Sequence, residues 1–159
     1  MKKLTVLLSA TTLLFSASCT KKSTTAAANG WTLGGKTYTT KYSASSASAK
    51  QLFAMDATPS GSSPTANSCI ISFSALPTAG GTFKVVGFGV TSTIGANELA
   101  VNASTYSPVS SYVSSGYDNV SATVTVTGGK IKVVLPSIWM RASGSTTDSV
   151  QLTGTIVEQ

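Results

Sequence analysis

Val120-Ser121-Ala122-Thr123-Val124-Thr125-Val126-Thr127-Gly128-Gly129-Lys130-Ile131-Lys132-Val133-Val134-Leu135 settles the fold class. Val120, Ala122, Val124 and Val126 alternate with Ser121, Thr123, Thr125 and Thr127. After the glycine pair, Ile131, Val133 and Leu135 alternate with Lys130, Lys132 and Val134. A period of two places all the apolar side chains on one face of an extended backbone. The Gly-Gly pair supplies the two positive φ angles that a tight hairpin turn needs. The stretch therefore predicts an antiparallel hairpin with one buried and one wet face.

The same signals recur outward from it. Downstream, Ser137 to Ala142 keeps strand character around Ile138 and Met140, with Trp139 on the opposite face. Gly144-Ser145-Thr146-Thr147-Asp148 reads as a turn, and Val150, Leu152, Gly154 and Ile156 form a last strand. Upstream, Trp31-Thr32-Leu33 and Lys36 to Tyr42 flank Gly34-Gly35 as a second hairpin. Ser43 to Ser48 reads as a turn. Ala49 to Ala57 alternates, with Leu52 and Ala54 on one face and Phe53 and Met55 on the other, and a short helix competes there. Cys69 to Ser74, Thr82 to Val90 and Glu98 to Ser104 are further strands, with Gly80-Gly81 as a turn. Thr58 to Asn67 and Thr105 to Asn119 read as long loops. About nine strands at short intervals predict an all-β fold, a single antiparallel β-sandwich, with an up-and-down β-barrel as the alternative.

A different logic governs the beginning of the chain. Met1-Lys2-Lys3 is basic, Leu4 to Phe15 is apolar, and the small residues Ser16-Ala17-Ser18 stand directly before Cys19. That order is a secretory signal, and its apolar run is too short for a permanent membrane span. The cysteine after small residues resembles the lipobox of bacterial lipoproteins. The resemblance implies diacylglycerol on the Cys19 thiol, cleavage before it, and acylation of the new amino group. Several acyl chains together anchor a protein firmly, where one is marginal. The expected organisation is a signal peptide over 1–18, a flexible tether over 19–29 and a β-sandwich domain over 30–159. Lysines stand at 21 and 22, where some surface-exported lipoproteins carry acids. The expectation is therefore an outer-membrane anchor with the domain facing the periplasm.

The chain has 159 residues and a formal charge of +6, which falls to +4 once Lys2 and Lys3 leave with the signal. Lys36, Lys41, Lys50, Lys84, Lys130, Lys132 and Arg141 are scattered, whereas nucleic-acid binding needs clustered cations interleaved with aromatics. No nucleic-acid partner is expected. Cys69 shares a face with Ile71 and Phe73 and reads as a small buried hydrophobe, with no neighbouring base to activate its thiol.

Absent histidine removes the commonest general base and metal ligand, and with it every Ser-His or Cys-His nucleophile. No metal or cofactor is expected. The acids are Asp56, Glu98, Asp118, Asp148 and Glu158, of which Asp56 and Glu98 are the one pair that could serve a carboxylate-based hydrolase. No catalytic residue is assigned, and the chain is expected not to be an enzyme. Tyr106, Tyr112 and Tyr117, set among serine, glycine and asparagine, have the composition of a binding loop. Trp139 could add a stacking surface for a sugar. The competing reading is that these aromatics cover a sheet edge.

The opening Trp31-Thr-Leu-Gly-Gly-Lys-Thr-Tyr38, the Pro77-Thr-Ala-Gly-Gly-Thr-Phe83 turn and the closing Leu152-Thr-Gly-Thr-Ile156-Val-Glu, behind the lipobox, resemble the small β-rich lipoproteins of Gram-negative envelopes. That resemblance implies a fold and an address and brings no catalytic residues. Asp148-Ser149-Val150 resembles the acid-hydroxyl-aliphatic tripeptide that some such envelopes O-glycosylate, which makes Ser149 a candidate glycosylation site. The function expected is a non-catalytic binding module held at the membrane by lipid, contacting a glycan or an envelope protein. A purely structural or assembly role is the alternative.

Overall fold

A computed structural model describes residues 29–59, 65–89, 93–145 and 147–159; Cys19, with the expected signal peptide and most of the expected tether, lies outside the described residues. Wherever apolar and polar residues alternate, the backbone is extended. The strands are β1 (Gly30–Leu33), β2 (Lys36–Thr39), β3 (Tyr42–Ser46), β4 (Gln51–Met55), β5 (Ser68–Phe73), β6 (Gly81–Val85), β7 (Glu98–Thr105), β8 (Ser110–Ser114), β9 (Ser121–Thr127), β10 (Lys130–Ala142) and β11 (Ser149–Val157). No helix occurs among the described residues, and the segment where one competed is β4.

All eleven strands join one sheet in the order β2-β1-β11-β10-β9-β6-β7-β5-β4-β3, and β8 pairs with both β10 and β7. Every pairing is antiparallel except that of β6 with β7. β2 and β3 stand at opposite ends of this path, yet only Thr40 and Lys41 separate them in the chain. Such a link reaches about 10 Å at full extension. The sheet therefore doubles back until its two ends meet. The Ser43 hydroxyl on β3 donates to the Val157 carbonyl on β11 at 2.6 Å, and the Gln159 N–H donates to the Ser43 carbonyl at 3.3 Å.

Folding over turns one face of every strand inward. Leu52, Cys69, Ile71, Leu99, Val101, Val133, Met140, Leu152 and Ile156 are each 0% exposed, and Trp31 stacks on Tyr38 with ring centroids 5.3 Å apart. Full burial of each larger aliphatic side chain is worth about 1.5–3 kcal/mol. The all-β sandwich expectation holds in the form of one sheet folded on itself, with eleven strands in place of about nine and one parallel pair.

Several boundaries differ from expectation. Gly34-Gly35 (φ 56° and 84°) and Gly128-Gly129 (φ 60° and 79°) turn hairpins as predicted. Gly80-Gly81 does not: β5 and β6 are not neighbours in the sheet, so this pair closes a crossover and leads into β6. The run Lys36–Tyr42 breaks at Thr40-Lys41, and the serines after it form β3 instead of a turn. A buried serine is tolerated there because Ser43 finds a carbonyl partner. The strand expected over Thr82–Val90 leaves the ladder after Val85. β10 runs unbroken for 13 residues. Leu135 faces Gly154 while Ile138 faces Leu152, so Pro136-Ser137 forms a bulge, one of the few places a sheet accepts proline.

Candidate binding site

β10 changes partner partway along. Lys130 to Val134 pair with β9, and Met140 to Ala142 pair with β8. In the gap between, Trp139 has backbone groups that no strand satisfies. The 115–118 loop supplies them: the Ser115 N–H donates to the Trp139 carbonyl at 3.0 Å, and the Asp118 carboxylate accepts the Trp139 N–H. Asp118 is thus a structural acceptor that stands in for a missing strand.

That loop closes tightly. Gly116 sits at φ 74°, and a Cβ there would lie 2.4 Å from the Gly87 nitrogen, so only glycine fits. The turn carries Tyr117 back over β10, where its ring lies 5.9 Å from the Arg141 guanidinium carbon. Ile138 and Met140 point into the core, so alternation turns Trp139 and Arg141 to the outer face. Tyr117 is 80% exposed and Trp139 45%, a large aromatic surface left in solvent beside a cation. Next to it lies a groove of about 520 Å³ lined by Phe88, Asn102, Val113, Arg141, Ser143 and Ser145. Asn102, Val113 and Arg141 form one row across β7, β8 and β10.

The structure does not gather the three tyrosines into one loop. Thr105–Asn119 contains β8, and the actual turn is Tyr106–Val109, which includes a cis Ser107–Pro108 bond. Tyr106 stands on that turn, 48% exposed, with its N–H donated to Asn67. Tyr117 lies past the other end of β8. Between them Tyr112 has inward parity, packs against the core and lines a small cavity of about 230 Å³ with Leu33, Tyr38, Pro108 and Val150. Of the four aromatics singled out from sequence, only Tyr117 and Trp139 belong to one neighbourhood: Asp118 holds the Trp139 N–H, and the Tyr117 ring lies at Arg141, two residues beyond Trp139 on the same outer face. Arg141 and Asp118, which complete the site, stand in the sequence only as one of the scattered cations and one of five acids. The two-residue step from Trp139 to Arg141 was the available clue.

The remaining candidates are dispersed. Asp56 accepts from the Asn67 backbone and side chain at 2.9 and 2.6 Å, and Glu98 accepts from the Gly95 N–H at 2.8 Å. They flank opposite ends of β7, because Met55 stands level with Ser68 and Ser104 while Glu98 opens the strand. Six residues of strand separate them by roughly 20 Å. Glycosidase carboxylates lie within about 10 Å of each other, so the two do not form such a pair. Among the described residues no cluster of three or more His, Cys, Asp or Glu could hold a metal. Cys69 is fully buried, and burial pushes its thiol up to about 12. Asp148 and Ser149 are exposed at the start of β11, accessible as a modification site must be. No described helix is long and apolar enough to cross a membrane.

Comparison with protein-family models, with curated proteins and with solved structures finds no match.

Proposed function

We propose that this chain is a lipid-anchored envelope protein whose domain binds glycan, without catalysis, at the Tyr117–Trp139–Arg141 patch. The observation that carries the reading is the exposure of Tyr117 and Trp139 beside a groove lined by polar groups. Exposed aromatic faces are costly to leave in water and suit the apolar faces of sugar rings. Asn102, Ser143 and Ser145 bring hydrogen-bonding side chains for hydroxyl groups, and Arg141 adds five fixed donors. The anchor rests on the sequence alone: basic start, apolar run, small residues, Cys19.

Each half has its own test. Palmitate labelling of the expressed protein and fractionation of the cells should place it in the membrane, and Cys19→Ser should release it unlabelled. Binding to a glycan array should fall at least tenfold in Tyr117→Ala/Trp139→Ala with little change in thermal midpoint. Absence of glycan binding, together with loss of a co-purifying envelope protein in the same variant, would instead make the patch an assembly contact.

A further inference from the structure

We infer that the glycan taken by this patch is acidic, with Arg141 as the residue that reads its carboxylate; the inference rests on the binding function proposed above. Arg141 belongs to both halves of the site, lying over the Tyr117 ring and lining the neighbouring groove. A sugar stacked on the aromatics would therefore present its substituents to the guanidinium. A planar fork of N–H groups matches a carboxylate in two parallel bonds, and stacking on an aromatic ring holds the fork in orientation.

The surrounding charges leave that fork free. Asp118 gives its carboxylate to the Trp139 N–H, while Asp148, one residue before Ser149, the register partner of Arg141, is exposed to solvent. Asp56, Glu98 and Glu158 are likewise turned onto N–H groups of their own neighbourhoods. Among the described residues no ion pair forms with Arg141. The outer face of β10 continues the positive stripe beyond the bulge with Lys132 and Lys130, both exposed. The outer face of the strand thus presents Arg141, Trp139, Val134, Lys132 and Lys130 in turn, three cations and no acid, which suits a chain of acidic sugars better than a neutral one.

The test measures binding of the full chain to oligosaccharides of galacturonic, glucuronic and mannuronic acid, each beside its carboxyl-reduced neutral counterpart. The expected result is at least tenfold tighter binding of one acid form, weakened when salt is raised to about 0.5 M. Arg141→Gln should erase the preference, and Arg141→Lys should keep the charge but recover only part of it. If a neutral counterpart binds as tightly, and still depends on Tyr117 and Trp139, acid recognition is wrong while the glycan module stands. If no oligosaccharide of either kind binds, both fall. The comparison on the unaltered chain decides the matter even where a variant loses stability.

Discussion

Gly154 shows how little space separates the strands that hold the two hairpins together. It faces Trp31, and a Cβ at this position would lie 2.5 Å from the Gly30 carbonyl oxygen and 2.8 Å from the Trp31 Cα. Both are backbone atoms, so neither can swing aside. Gly154→Ala should cost about 3 kcal/mol, read as a lower urea midpoint with an unchanged slope. Cys69 is confined differently: it stands between Ala54 and Ala103, all three 0% exposed. With its pKa raised to about 12 by burial, the thiol is protonated at any ordinary pH. In a Cys19→Ser chain, where Cys69 is the only thiol, a thiol reagent should label it only as fast as the protein opens. Rapid labelling in the native state would mean that β5 is not packed as described. Reading Cys69 as a buried hydrophobe needed only the two-residue period, because inward parity and an apolar neighbourhood decide the fate of a thiol. Arg141 was not legible in the same way: its role depends on Tyr117, 24 positions earlier, being folded back over it.

Among the elements, β8 separates what alternation reveals from what it conceals. Ser-Ser-Tyr-Val-Ser carries one large apolar residue per face, too weak a pattern to distinguish from a loop. It becomes a strand because β7 and β10 offer it unpaired backbone on both sides. The consequence is that the tyrosines differ in kind. Tyr112→Ala removes a ring packed on the core and should cost about 2–3 kcal/mol, whereas Tyr106→Ala and Tyr117→Ala should leave the thermal midpoint within about 2 °C. Equal effects of all three would contradict the placement of β8. The β9–β10 hairpin lies at the opposite extreme. Its pattern was complete in the sequence, and its register pairs Val124 with Val133 and Val126 with Ile131 as alternation requires. What could not be read was its length, since a proline normally ends a strand and here marks a bulge within one.

For the molecule as a whole, the decisive event is the meeting of the sheet's two ends, and a single carboxylate does much of the fastening. Glu158 accepts from the Ser45 N–H and hydroxyl on β3 and from the Ile131 N–H on β10 at 2.9 Å. Beside it, Asn29 exchanges two hydrogen bonds with Val157. None of this was legible in the sequence, where Glu158 is a nearly terminal acid, because contacts 27 to 128 residues apart leave no local pattern. Partial burial works against the charge on Glu158. The Ser45 hydroxyl, the Ile131 and Ser45 N–H groups and, last, Lys130 outweigh it and hold the carboxyl below its ordinary value of 4.5. Because the folded pKa is the lower one, the ionised group stabilises the fold fully above the unfolded value. That contribution is lost as pH falls through the folded one. Glu158→Gln should therefore lower stability at pH 7 by about 1–2 kcal/mol, discounted for solvent screening at a partly exposed site. The gap between variant and parent should narrow as the pH drops below 4.5 and should be flat from pH 6 to 8. Urea unfolding of both chains across that range measures it. Hydrogen exchange should at the same time quicken in β3 and at the start of β10 before it does in β7, because those are the strands the clasp joins. A constant gap at every pH would mean that the side chain acts by packing alone, and that the sheet's ends are held by the Thr40-Lys41 link and the Asn29 and Ser43 bonds without help from charge.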